Sequence, residues 1–421
     1  MKRLFGILGR WRLISVVICA VKIFAILVLS YWFGLLGPDF PNWTRGASMV
    51  FSTVSAGKFP SVSTFGAYLG IMVVLAPFYW LWSIIPIEHP PLQELVNSTT
   101  PATLLAVIMK LPILICDILV AILIYRLVRK VTKSERQGAI GSLSWFANPY
   151  NFYYLYVFGA MDVIPATVVV LALTLGWDRN WSRSGFATTI GGLLRIYPFF
   201  TLPFFLHLTK AKKELIGLIV GSTFPIFCLI ALLYVTSSGG ISALLAIPLT
   251  EYWVLEFLGG NIVTGQLLFL SPFLVLMQLY VVFRFWRADA NIVHLATVSL
   301  LALLIGTTYA PTYAGGMQHF IWLSSLLSVC VGMHPEESWL FAATFVTAYL
   351  SPGQYAFNLQ FATGPPGPPD LQVVGNFLTG AFWAMKSTYL VRLNLWNLKS
   401  AHGRVQLGLV TNMAQPLRTT T

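Results

Sequence analysis

The chain has 421 residues, of which 57% are hydrophobic and only 10% charged, and its mean hydropathy is +0.76. A soluble domain of this length exposes far more charge, so a water-soluble globular protein is excluded. The net charge of +12 would suit nucleic acid, but the Lys and Arg residues cluster between apolar runs and not in a binding stripe, so no nucleic-acid partner is expected.

Apolar runs of about 20 residues recur from end to end, each long enough to cross a bilayer. No polar stretch is long enough for a soluble domain. The sequence therefore reads as an all-α polytopic membrane protein, a single transmembrane domain over 1–421 with about 11–13 membrane helices. Residues 12–36 follow "MKRLFGILGRWR". They exceed a signal-peptide core and lack a small-residue cleavage site, which predicts a retained first helix with a cytoplasmic N-terminus. Residues 37–66 are then the first non-cytoplasmic loop. The apolar stretch 67–87 is interrupted by Pro77. If it spanned, Arg126 to Arg136 would face outwards, so it is read as a re-entrant or interfacial piece on the outer side. A helix over 102–126 comes in, 138–157 goes out and 161–177 comes in.

The stretch from Trp177 to Glu214 has Arg179 and Arg183 at one end and Lys210, Lys212 and Lys213 at the other. Both ends then face the cytoplasm, which predicts a helical hairpin over 185–208 with Arg195 near its apex. Pro198 and Pro203 suit the break, because proline lacks an amide proton and clashes with the preceding turn. Helices over 215–236, 264–284, 292–313, 317–333, 338–357 and 374–394 complete the path, with 237–263 a non-cytoplasmic loop and 395–421 a cytoplasmic tail. Of the 26 Lys and Arg residues, this path leaves Arg45 and Lys58 outside and Lys22, Lys110 and Arg195 within apolar segments. The inner basic residues face anionic membrane lipid. The sequons at Asn42 and Asn97 fall on the outer side, where glycosylation is open to them, and the one at Asn180 falls inside. Cys19, Cys116, Cys228 and Cys330 lie in apolar runs at no metal spacing and read as packing residues.

An ionisable side chain at the centre of a membrane helix costs about 2.5–3.5 kcal/mol on insertion scales. Each of Lys22, Lys110, Asp117, Asp162 and Arg195 therefore needs a reason. Lys110 and Asp117 are seven residues apart on one predicted helix, so they face one side about 10 Å apart in depth. Asp117 reads as a structural ion pair inside the bundle. Lys110 reads either as an outward-facing cation for an anionic ligand or as a snorkelling lysine. In "NPYNFYYLYVFGAMD" Pro149 breaks one helix, Gly159 allows a tight turn, and Asp162 falls in the first turn of the next helix, where a carboxylate suits the dipole. The tyrosines fit an interfacial aromatic belt, with stacking on a sugar as the alternative. Arg195 cannot shed its proton and matches phosphate oxygens in a bidentate fork. It is a candidate for holding a lipid phosphate, with a structural pair to Asp162 or Asp117 as the rival. Asp39, in "GLLGPDFPNW", is placed to act as a general base on a substrate hydroxyl, or is a surface turn residue. His319, in "GGMQHFIW", is a donor to a phosphate or sugar hydroxyl, or simply a helix-start residue.

The order of these segments resembles the GT-C superfamily of polyprenyl-phosphate-sugar glycosyltransferases, and within it the catalytic subunit family of GPI mannosyltransferase I with its archaeal relatives. Asp39 follows the first helix and "GKFP" comes one amphipathic helix later. "KLPILICDILVAILIYRLVRK" is similar to the family's second helix, "NPYNFYYLYVFGAMD" to its Asn-Pro and Gly-x-x-Asp element, "LRIYP" to its Lys/Arg-x-Tyr-Pro hairpin, and "QHFIWL" to a late helix. The family's Asp-x-Asp in the first outer loop is represented by Asp39 alone. The resemblance covers residues 10–330. It implies transfer of a sugar, mannose in that family, from a polyprenyl-phosphate donor to a lipid- or protein-linked glycan on the non-cytoplasmic face, with inversion. It implies Asp39 as the catalytic base and a substrate-binding set of Lys110, Asp162, Arg195, Tyr197, Gln318 and His319. A small membrane subunit is an allowed partner, and the membrane is an archaeal cell membrane or that of the endoplasmic reticulum. Some members of the superfamily use a divalent cation, but a lone outer Asp gives no metal cage, so no metal ligand is assigned. The chain also resembles the U subunit of GPI transamidase, a non-catalytic scaffold, in its Asn-Pro and Tyr-Pro elements.

Overall fold

The computed structural model describes residues 2–33, 40–58, 69–87, 100–195, 197–209, 211–236, 320–333 and 335. Among them there is no strand. In chain order the helices are α1 (Lys2–Phe33), α2 (Phe40–Ser55), α3 (Leu69–Ser83), α4 (Thr100–Thr132), α5 (Glu135–Phe146), α6 (Pro149–Phe152), a π-helix (Tyr153–Phe158), α7 (Val163–Trp177), α8 (Trp181–Leu194), a 3₁₀ turn (Tyr197–Thr201), α9 (Leu202–Leu208), α10 (Lys212–Thr236) and α11 (Phe320–Met333). Three stretches are helical, long and apolar enough to cross a membrane: Leu13–Tyr31, Pro101–Thr132 and Lys212–Ala231. That is the mark of a membrane protein.

The local breaks follow from the residues at them. Ser134 caps α5 by accepting from the amide of Gln137 at 3.3 Å. Asn148 caps α6 by accepting from the amide of Tyr150 at 2.9 Å, with Pro149 in the first helical position, where its missing N–H costs nothing. The chain then widens into a π-helix and stops at Gly159, whose φ of 85° lies in the left-handed region that a side chain disfavours. α2 buries Trp43, Ala47 and Val50, one stripe at helical spacing, and packs on α3.

α4 is the central element and touches α1, α3, α5, α7 and α11. α8 and α10 pack closely side by side, and α7 joins them to α4. Three ion pairs tie helix ends together. Lys130 on α4 meets Asp178 just after α7. Arg129 on α4 meets Glu135 on α5 at 3.3 Å, and Arg179 before α8 meets Glu214 on α10 at 3.6 Å. Gln137 on α5 donates to the carbonyl of Met333, the last residue of α11. One end of the bundle therefore gathers the C-termini of α4, α7 and α11 with the N-termini of α5, α8 and α10. This is the basic end, where the clusters over 126–136, 179–183 and 212–213 meet, while Arg284, Arg287 and the basic tail lie outside the described residues.

Several expected boundaries shift. The basic residues of the first and second clusters were expected in loops, but α1 starts at Lys2 and α4 runs on to Thr132, so Arg126, Arg129 and Lys130 ride on a helix of 33 residues. The segment 138–157 is three pieces, α5, α6 and the π-helix. α3, read as re-entrant, has 15 residues with Pro77 inside, about 22 Å of helix against a hydrocarbon core of about 30 Å. Asn42 lies on α2, with Thr44 buried, and not in the surface loop that a glycosylation acceptor requires. The expected helices over 264–284, 292–313, 338–357 and 374–394, the loop 237–263 and the tail 395–421 lie outside the described residues.

The hairpin of the sequence reading takes the form of α8, Arg195, the 3₁₀ turn and α9. Its tightness rests on Gly192: a Cβ there would stand 2.4 Å from the ring of Phe199. Gly192→Ala is therefore expected to destabilise the fold by about 1–3 kcal/mol through overpacking, and Phe199→Ala in the same chain is expected to recover part of the loss, read as a melting temperature in detergent.

Candidate functional site

The buried ionisable residues fall into two groups at different depths. The first surrounds Asp117, which is fully buried on α4. Its Oδ2 accepts from Lys22 Nζ of α1 at 2.5 Å and from the Tyr156 hydroxyl of the π-helix at 2.6 Å. Its Oδ1 accepts from the indole of Trp145 on α5 at 2.7 Å. The Lys22 ammonium also stands 3.9 Å from the centroid of the Phe146 ring. Both carboxylate oxygens are occupied, so the group acts as a fixed anion joining α1, α4, α5 and the π-helix. The structural reading of Asp117 holds, and its partner is Lys22, from 95 residues away.

The second group lies at the far end. Asp162 immediately precedes α7, and Asp178 immediately follows it at the basic end. Arg195 immediately follows α8, and Arg179 precedes it at the basic end. Helices of 15 and 14 residues put about 21–23 Å between the two levels. There Arg195 Nε stands 3.3 Å from Asp162 Oδ1, with both side chains buried. Asp162 makes no side-chain cap on α7. It was expected in the first turn as a helix-dipole partner, and it instead sits one residue earlier and faces the arginine. The rival pair of Arg195 with Asp117 is not formed.

Two aromatic residues complete this corner. Tyr197, at the start of the 3₁₀ turn, is wholly buried and within electrostatic range of both Asp162 and Arg195. Trp43, in the first turn of α2, has its ring centroid 6.0 Å from the Arg195 guanidinium carbon. Arg195 itself is extended, with its amide bonded to Gly191 at 2.9 Å. Lys110 is buried on α4, two turns beyond Asp117 and further from the basic end. Asp39, Gln318 and His319 lie outside the described residues. α11 begins at Phe320, at the end opposite Met333 and hence opposite the basic end. Among the described residues no three His, Cys, Asp or Glu side chains gather into a metal site.

The tyrosine run does not form an interfacial belt. Tyr150, Tyr154 and Tyr156 are at most 1% exposed. Tyr150 and Tyr154 pack with ring centroids 4.5 Å apart and the rings tilted by 40°, and Tyr156 serves Asp117. Trp43 and Trp145 were not singled out from the sequence. Trp43 stands in "PNWTRG" and Trp145 in "SLSWFAN", and nothing local separates either from a lipid-facing or interfacial tryptophan.

No protein-family model matches the chain, and no curated protein is significantly similar to it.

Breaking a buried pair leaves an uncompensated charge, at a cost of about 3–5 kcal/mol. Lys22→Met is expected to destabilise the fold by that order, and Lys22→Met with Asp117→Asn by less than the sum of the two single changes, measured as a double-mutant cycle of unfolding in detergent.

Proposed function

We propose that the protein is a multi-pass integral membrane glycosyltransferase. It moves a sugar, mannose by resemblance, from a polyprenyl-phosphate donor to a lipid- or protein-linked glycan on the non-cytoplasmic face. The supporting observation is the buried pair of Arg195 and Asp162, at the end of the bundle opposite the basic cluster. With the basic end in the cytoplasm, that pair faces the outer leaflet of an archaeal cell membrane or the lumenal leaflet of the endoplasmic reticulum. A donor lipid lies in the same leaflet, so an embedded site avoids extracting it.

In this reading the Arg195 guanidinium presents its donors in a fork that fits phosphate. Asp162 holds that fork in place, with Tyr197 and Trp43 packed around it. Lys110 adds positive charge in the same half of the bundle. The acceptor hydroxyl attacks the sugar's anomeric carbon and its proton passes to Asp39. The bond from that carbon to the phosphate oxygen breaks, and its electron pair leaves on the phosphate, where Arg195 and His319 stabilise the growing charge. Gln318 contacts the donor.

A second reading has a specific observation in its favour. Arg195 is already paired with Asp162, as in a scaffold that binds a lipid-linked glycan for a partner enzyme. The two readings separate on turnover. Purified protein given a short-chain polyprenyl-phosphate-mannose and a lipid-glycan acceptor is expected to transfer mannose. Asp39→Asn is expected to lower transfer by about 10²-fold or more without loss of folded protein. Arg195→Lys, which keeps the charge and loses the fork, is expected to lower it on the order of 10²-fold. Full transfer by Asp39→Asn rejects the assigned base, and absence of transfer by the parent protein favours the scaffold.

A further inference from the structure

The basic end carries more positive charge than its ion pairs use. Over 126–136, 178–183 and 211–214 there are nine Lys and Arg residues against three Asp and Glu. Each acid is engaged, Glu135 by Arg129, Asp178 by Lys130 and Glu214 by Arg179. Arg126, Lys133, Arg136, Arg183, Lys212 and Lys213 are exposed around them. The linked pairs stitch the ends of five helices, α4, α5, α7, α8 and α10, into one continuous surface of excess positive charge.

Backbone geometry at this end carries a second, independent signal. α2 closes with the amide of Lys58 bonded to the carbonyl of Thr53 and that of Gly57 to Val54, and Gly57 has a φ of +69°. α7 closes in the same way, with Asn180 bonded to Leu175 and Arg179 to Gly176, but its left-handed residue is Arg179, at +55°. This closing motif favours glycine, since a side chain in the left-handed region is strained. In the turn from α4 to α5, Lys133 likewise has a φ of +55°. Among the described residues these are the two non-glycine positions with positive φ. Both are basic and both lie on this one surface. Strain kept at a charged side chain points to a use for the charge.

We propose that the basic end is a docking surface for the headgroups of anionic phospholipid, with Lys133 among its anchoring cations and Arg179 shared between the surface and Glu214. An excess of cations at headgroup level attracts anionic lipid and falls off within a Debye length. A charge needed only to orient the chain during insertion has no further effect once the protein is made and purified, whereas a docking surface still distinguishes lipids.

The test uses the purified full chain in detergent, with its melting temperature followed as phosphatidylglycerol or phosphatidylcholine is added. Phosphatidylglycerol is expected to raise it by several degrees more than phosphatidylcholine, and added salt to erase the difference. Lys133→Gly combined with Arg179→Gly is expected to lose most of that difference while melting no lower than the parent in phosphatidylcholine. The two effects have opposite causes, since glycine relieves the backbone as it removes the charge. Should that variant fail to fold, Arg183→Gln with Lys212→Gln tests the same surface from its exposed helix ends and is expected to lose part of the difference. Equal response of the parent protein to the two lipids overturns the proposal. So does retention of the whole difference by the folded variants, or the same rise with inorganic phosphate alone.

Discussion

An apolar chain in an apolar solvent has few ways to hold a charge, and here the charges organise the bundle. Asp117 cannot sit bare inside α4. It draws Lys22 from α1, Trp145 from α5 and Tyr156 from the π-helix, and so fixes how those elements meet. The apolar faces alone would not choose one rotation of α1 against α4, because lipid-facing and core-facing side chains are both apolar. A polar interaction that is expensive to leave unmade supplies the missing specificity.

The same constraint separates the two ends. The exposed pairs around Lys130, Asp178, Arg179 and Glu214 are weak individually and salt-sensitive, and they sit where water and headgroups tolerate them. The Asp162 and Arg195 pair is buried about two-thirds of a bilayer away, at the top of two short helices. A polar end of many cheap charges and a far end with one costly pair make a molecule with a direction. Any chemistry at the far pair would draw its strength from burial, since a water-excluded guanidinium interacts more strongly with an anion.

Much of this was legible in the sequence because it is local. Pro149 and Gly159 mark real breaks, the run before Tyr197 and Pro198 does fold back, and Lys22, Lys110, Asp117, Asp162 and Arg195 are all buried. Pairing was not legible. Lys22 and Asp117 are 95 residues apart, and from Asp117 alone the nearest cation in the chain's own helix was Lys110. The tyrosines misled because the same composition suits a headgroup belt and a buried aromatic core, and only tertiary contacts tell them apart. Trp43 came to notice through the ring it places near Arg195, a contact between α2 and the hairpin that no spacing encodes.

The account depends on the two ends lying on opposite faces of one membrane. A chain with Cys19, Cys116, Cys228 and Cys330 replaced, carrying either Lys58→Cys or Lys213→Cys, can be treated with an impermeant maleimide before and after permeabilisation. The cysteine at 58 is expected to react from the outside of intact membranes, and the one at 213 only once the membrane is opened. Labelling of both from the same side would contradict the account.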